Sequence, residues 1–314
     1  MQQYLSVDQK NSDVYYLLCN LFKEGKQFDK AIQACQQAIA IDASRPEYYN
    51  NLGNLLYVTF DNTRAHKAFE KAIILDPNRT EAYCGLARIL LNTGEFETAI
   101  SICQKALRIN PNYFGIYDNL GNIFREIGHL DKSISFFQKG LEDSPDNPSL
   151  HANLGMTYLK KGELKTGRLL FEWRLEIKGR YGENELSKWK GENLNKKTIL
   201  LCYEEGLGDT LQFLRFVPRF AQLGGKVALQ CQPNLKPLLL QQKRLKVDNI
   251  LDELDFSPNY DFTLSLMSLP AALHVTSKEE IIIGRPYIEV LYTPTSHIKN
   301  TQNLKGWFGL GWQS

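Results

Sequence analysis

The apolar positions along the chain change their period near residue 198. Before it, small and apolar residues recur at a step of 34, with units starting at Ser12, Pro46, Thr80, Phe114 and Pro148. The seventh position of each unit is Leu18, Leu52, Leu86, Leu120 and Leu154. The eighth is small in every unit (Cys19, Gly53, Ala87, Gly121, Gly155), as is the twentieth (Ala31, Ala65, Ala99, Ser133, Gly167). The twenty-seventh is Ala38, Ala72, Ala106 and Gly140, and the rule lapses only at Arg174. Pro77, Pro111 and Pro145 close the second, third and fourth units. A fixed step of this length predicts a stack of helix pairs, with small residues where two helices approach closely and Pro at the turn into the next pair.

After residue 198 short apolar runs alternate with helix-like segments. Thr198 to Tyr203 and Lys226 to Cys231 have the length and composition of buried strands, and Val247 to Leu251 and Tyr260 to Leu264 read as two more. Helices are expected from Leu211, over Pro233 to Gln241 and over Ala271 to His274. Ile281 to Ile283, Tyr287 to Leu291 and Gly306 to Trp312 read as later extended pieces. Strands alternating with helices predict a parallel doubly wound sheet.

The repeat positions resemble the tetratricopeptide repeat, over residues 12 to about 181. The resemblance implies a right-handed, curved α-solenoid of about five repeats, with the first helix of each pair lining the concave face. The fifth unit departs from the pattern after Phe171 and reads as a cap. On the first helix, positions 2, 6, 9 and 13 share a face by helical spacing. Position 6 carries Asn51, Asn119 and Asn153, and position 9 carries Asn20, Asn54 and Asn122. An amide both donates and accepts, so such a row can hold an extended peptide backbone without reading its side chains. The row resembles the asparagine ladder of the O-linked N-acetylglucosamine transferases. Asn also occurs at these positions for structural reasons alone.

Residues 182–197 read as a linker, between a solenoid over 1–181 and an α/β half-domain over 198–314. Gly179 to Ser187 reads as an exposed loop of mixed charge, and Trp173 and Trp189 as aromatics packed at the junction.

The candidate chemistry lies behind the first strand. Glu204-Glu205-Gly206-Leu207-Gly208 forms a turn, and Asp209 and Thr210 stand where a helix takes its N-cap. Strand, glycine turn and helix start together make a place for an anion, with Gly206, Leu207, Gly208 and Thr210 as its residues. The turn lacks the third glycine of the dinucleotide fingerprint, because Leu211 stands there, and no Gly-Lys-Ser/Thr makes it a phosphate loop.

Trp189 to Glu192, Glu204 to Phe216, Gln232 to Leu239, Tyr260 to Phe262, Leu266 to Pro270 and Pro286 to Ile288 together resemble bacterial tetratricopeptide proteins with a glycosyltransferase-like domain. The resemblance implies the acceptor half of a GT-B fold, Rossmann-like and similar to the heptosyltransferases. It makes Asp209 a candidate general base for an acceptor hydroxyl in an inverting transfer from a nucleotide-sugar; the alternative is a helix cap. The family usually has Gln where Glu205 stands, and the change adds negative charge beside the turn. Thr198 to Ser314 is 117 residues, enough for one GT-B half, so the donor-binding half is expected to be missing.

Composition narrows the partners. With 37 basic and 35 acidic residues and no basic block, nucleic acid is not the expected partner. No apolar run nears the roughly 20 residues a membrane helix needs, and the start shows no secretory signal, so the cytoplasm is the expected compartment. The six cysteines form no C-x-x-C pair and read as reduced, buried thiols. The five histidines have no metal-ligand spacing, and no metal or cofactor is expected. The combined reading is a repeat scaffold that recognises a polypeptide, fused to an incomplete glycosyltransferase-like domain; an active inverting glycosyltransferase is the alternative.

Overall fold

The computed structural model describes residues 11–177, 187–204, 206–252, 260–277, 279–281 and 288. The chain divides into two compact units, Met1–Glu183 and Asn184–Ser314.

The first unit is five antiparallel helix pairs. They are α1 (Ser12–Glu24) and α2 (Phe28–Ile41), α3 (Pro46–Val58) and α4 (Asn62–Leu75), α5 (Thr80–Asn92) and α6 (Phe96–Ile109), α7 (Phe114–Glu126) and α8 (Leu130–Asp143), and α9 (Pro148–Lys161) and α10 (Leu164–Phe171). Each first helix starts on the residue that opens its repeat in the sequence. Position 15 of every unit turns the chain between the paired helices with a left-handed residue: Lys26, Phe60, Gly94, Gly128 and Gly162. Gly suits three of these turns, whereas Lys26 and Phe60 hold a conformation that costs a side chain about 1–2 kcal/mol. The small positions sit where expected: Ala31, Ala65, Ala99, Ser133, Ala38, Ala72 and Ala106 are fully buried. The Ser133 hydroxyl donates to the Gly121 carbonyl at 2.7 Å, which satisfies a polar atom in that tight crossing.

Neighbouring repeats are joined in two ways. Each second helix packs on the next first helix, and the first helices α3, α5, α7 and α9 pack directly on one another. The first-helix side is therefore the tighter, inner layer. Position 4 adds a recurring tie: the Tyr83 hydroxyl donates to the Pro77 carbonyl at 3.1 Å and Tyr117 repeats the bond to Pro111. In the fifth unit His151 Nε2 lies 2.6 Å from the Pro145 carbonyl, and its ring stacks on Trp173 with centroids 4.2 Å apart.

The second unit is built on a parallel sheet of β1 (Thr198–Cys202), β2 (Lys226–Gln230), β3 (Asn249–Leu251) and β4 (Phe262–Ser265), in the order β3-β2-β1-β4. Aspartates tie the strand starts. Asp261 accepts from the Thr198 amide at 2.8 Å and from Lys197 Nζ at 2.7 Å, and Asp248 accepts from the Val227 amide at 2.8 Å. Ile199 and Leu201 of β1, with Val227 and Leu229 of β2, share a core with Leu214, Val217 and Phe220.

Several expectations need correction. The tail of the expected linker belongs to the sheet unit: Lys188 pairs with Thr263 beside β4, and Leu194 lies in the core. Trp189 meets Phe220 edge-on at 5.3 Å and donates to the Glu192 carbonyl. The expected helix over Pro233 to Gln241 is a 3-10 turn at Pro233–Leu235 followed by a single helical turn at Lys236–Leu239, because Pro237 lacks the N–H a longer helix needs. The helix expected over Ala271 to His274 starts earlier and spans Leu269–Ala272. Apart from Ile281 and Ile288, the later extended pieces lie outside the described residues, as do Glu205 and the loop up to Leu186.

Candidate functional site

The first-helix face carries two kinds of amide. Asn51 Nδ2 donates to Asn20 Oδ1 at 2.9 Å, joining position 6 of one repeat to position 9 of the one before. In such a pair one donor and one acceptor are spent; one Asn20 N–H also meets the Tyr16 hydroxyl, which leaves Asn20 one N–H and Asn51 its carbonyl oxygen. Both residues are half-buried. The pairing is only partly repeated along the solenoid. Asn153 Nδ2 donates instead to Asp118 Oδ1 at 2.8 Å, and Asn122 Nδ2 to the Asp118 carbonyl at 2.9 Å. Asn119 is 5% exposed and donates to the Cys84 carbonyl at 2.9 Å. It is a strut between repeats three and four rather than a group on the open face.

In the middle of the row the amide is absent. Position 6 of the third repeat is Gly85, and a Cβ there would collide with the Phe69 ring. Asn54 takes a different partner: Arg88 Nη2 donates to its Oδ1 at 3.0 Å. The Arg88 guanidinium lies over the Tyr57 ring, 4.3 Å from its centroid, and Asn92 Nδ2 donates to the Tyr57 hydroxyl at 2.9 Å. Arg88 Nε is buried without a hydrogen-bond partner.

Asp118 is the acid of this face. Burial pushes its carboxyl above the ordinary carboxylate range, while the Asn153 hydrogen bond and the charges of Arg125 and Arg88 pull the other way. Burial likewise lowers the pKa of Arg125, whose Nη1 reaches the Asn153 carbonyl at 3.4 Å. Arg88, Asp118, Arg125 and Tyr57 were not singled out in the sequence. The signal was present at Arg88, where a cation interrupts the run of Asn at position 9.

The turn after β1 is arranged differently from its sequence reading. Helix α11 (Leu207–Phe213) takes Gly206 as its N-cap, so Asp209 and Thr210 lie inside the first turn rather than at the cap. A carboxylate there complements the positive end of the helix. Thr210 is buried and its Oγ1 lies 2.9 Å from Gln232 Oε1, donating to it and linking α11 to the segment after β2. A Cβ on Gly206 or Gly208 would meet open space. Strand order reverses between β1 and β4, and in parallel sheets ligands bind beyond the carboxyl ends at such a point.

All six cysteines are free; Cys84 and Cys202 are partly exposed and the others buried. Burial raises the Cys103 thiol to about 12 and raises Cys84, Cys202 and Cys231 as well, so these four are poor nucleophiles. Among the described residues no His, Cys, Asp and Glu cluster could hold a metal ion, and no helix is long and apolar enough to cross a membrane.

Residues 60–120 match a family model described as tetratricopeptide repeat, and residues 20–58 and 121–162 match a second described as TPR repeat. The helical unit is thus a solenoid of tetratricopeptide repeats. Among solved structures it is similar to TTC0263, a thermophilic TPR protein of Thermus thermophilus, at 20% identity over 53% of this chain and 91% of that one, with a TM-score of 0.50. It is also similar to PilW, a type IV pilus biogenesis factor (20% identity, 58% and 84% covered, TM-score 0.48). A third is YrrB, described as a TPR protein with an unusual peptide-binding site (21%, 56% and 91%, TM-score 0.40). At such identities the likeness to TTC0263 shows the shared fold alone. No curated protein matches the chain.

Proposed function

We propose that the solenoid is a peptide-recognition scaffold that holds an extended polypeptide along its first helices. The supporting observation is the Asn20–Asn51 pair, which bridges two repeats at 2.9 Å and keeps one donor and one acceptor, the complement of a peptide unit. Asn122 and Asn153, gathered at Asp118, extend the row. The test is to select binders to the chain from a phage-displayed library of random linear peptides. Their affinity is then compared on wild type and on Asn51→Ala/Asn122→Ala of matched melting temperature. A loss of about tenfold or more is expected; equal affinity overturns the reading.

For the second unit we propose the acceptor half of a GT-B glycosyltransferase, with Asp209 as the base that takes the proton of an acceptor hydroxyl while its oxygen attacks the sugar and the nucleotide diphosphate leaves. What supports it is a parallel sheet whose order reverses beside the turn bearing Asp209. Calorimetric titration with a panel of nucleotide-sugars, with Asp209→Ala alongside, tests it. Saturable binding to both proteins, with turnover lost in the variant, supports the base role of Asp209; flat titrations remove the transferase reading of this chain.

A further inference from the structure

We infer that Arg88 makes the solenoid selective for polypeptides carrying a carboxylate side chain at the register of the second and third repeats; the inference rests on the peptide-scaffold reading above. The asparagine pair at Asn20 and Asn51 offers a donor and an acceptor, which suits the N–H and C=O of any peptide unit. One repeat further on, that chemistry ends. Gly85 removes the amide of position 6, and position 9 is Arg88. A guanidinium has five N–H donors and no acceptor, so Arg88 itself offers a peptide N–H nothing to donate to. A carboxylate offers acceptors alone, in the geometry a guanidinium takes two at a time.

The surroundings fix Arg88 for this task. Its face rests on Tyr57 at 4.3 Å and one nitrogen is held by Asn54 at 3.0 Å, so little side-chain freedom is left to lose on binding. Its Nε is buried, so a carboxylate would be met by the terminal nitrogens of the guanidinium. Asp118 does not use up this capacity. It acts on Arg88 through charge, whereas its hydrogen bonds come from Asn153 and Asn122 in the fourth and fifth repeats. Two guanidiniums, Arg88 and Arg125, face that single carboxylate, and Arg125 has a further acidic neighbour in Glu126 at 3.6 Å.

The experiment uses the peptides selected on the full chain. They are expected to share an Asp or Glu at one position. Replacing that acid by its amide in a synthetic peptide should weaken binding to wild type about tenfold. The same replacement should cost nothing on Arg88→Gln, so that peptide and protein changes fail to add. Because the first comparison is made on unaltered protein, it does not depend on how the variant folds. Peptides that need Asn51 and Asn122 but show no acid preference, or keep it on Arg88→Gln, overturn the inference and leave the scaffold reading standing. Peptides indifferent to Asn51 and Asn122 overturn both.

Discussion

Phe69 fills the space that Gly85 leaves: its ring occupies the place a Cβ would take on that glycine, and on its other side it presses on Gly53, where a Cβ would stand 2.7 Å away. The two glycines belong to adjacent repeats, at positions 6 and 8. Where position 24 is small, as at Cys35 and Cys103, position 8 is Cys19 or Ala87 and position 6 of the next repeat is Asn51 or Asn119. Both large rings, Phe69 and Phe137, go with a glycine at position 8, but position 6 of the next repeat is Gly85 after Phe69 and Asn153 after Phe137, so only the Phe69 ring takes the place of an amide in the row.

Gly85→Ala is expected to destabilise the solenoid by about 1–3 kcal/mol, the ordinary penalty for forcing a methyl into a filled core. Chemical denaturation followed by helical circular dichroism measures it. A variant as stable as wild type would mean that the Phe69 ring moves freely aside.

Phe60 is exposed and holds a left-handed backbone in the turn between α3 and α4. Phe60→Gly, copying Gly94 and Gly128 at the same position, should raise stability by about 1 kcal/mol. The gain is limited by the greater freedom glycine gives the unfolded chain. An unchanged or lower melting temperature counts against this.

Asp118 should make stability depend on pH in an unusual direction. Because burial raises its folded pKa, the stability linked to it is complete below the unfolded value, about 3.9, and is lost as pH rises through the folded value. Asp118→Asn is therefore expected to melt higher than wild type at neutral pH, with the difference shrinking toward acid pH. Melts of both proteins across that range test the sign. A variant that melts lower at neutral pH would show that the two arginines outweigh burial.

Thr210→Val keeps the volume at the start of α11 and removes the hydroxyl that reaches Gln232 at 2.9 Å. A loss of about 1 kcal/mol is expected. It should be read as faster hydrogen exchange in α11, which this bond ties to the segment after β2. Unaltered exchange would mean that the contact adds nothing to the unit.

The sequence by itself determined the solenoid. A step of 34 with small residues at three positions leaves one solution, helix pairs stacked in register, because close helix crossings tolerate only small side chains. The same step also carries Gly94, Gly128 and Gly162 at position 15, a turn signal separate from the small core positions. The four strands were legible from their apolar runs, within one or two residues at most ends, since a buried parallel strand must be apolar throughout. Periodicity says which face a residue occupies, but not which neighbour it meets there. Tertiary structure alone decided that Asn119 turns inward to Cys84, that Asn54 pairs with Arg88, and that Gly85 serves Phe69. It also moved Asp209 and Thr210 from a cap into a helix turn, because Gly206 ends the extended backbone three residues earlier than the capping preference of Asp suggests. Side-chain hydrogen bonds and volumes are settled between segments far apart in the chain, and no local pattern records them.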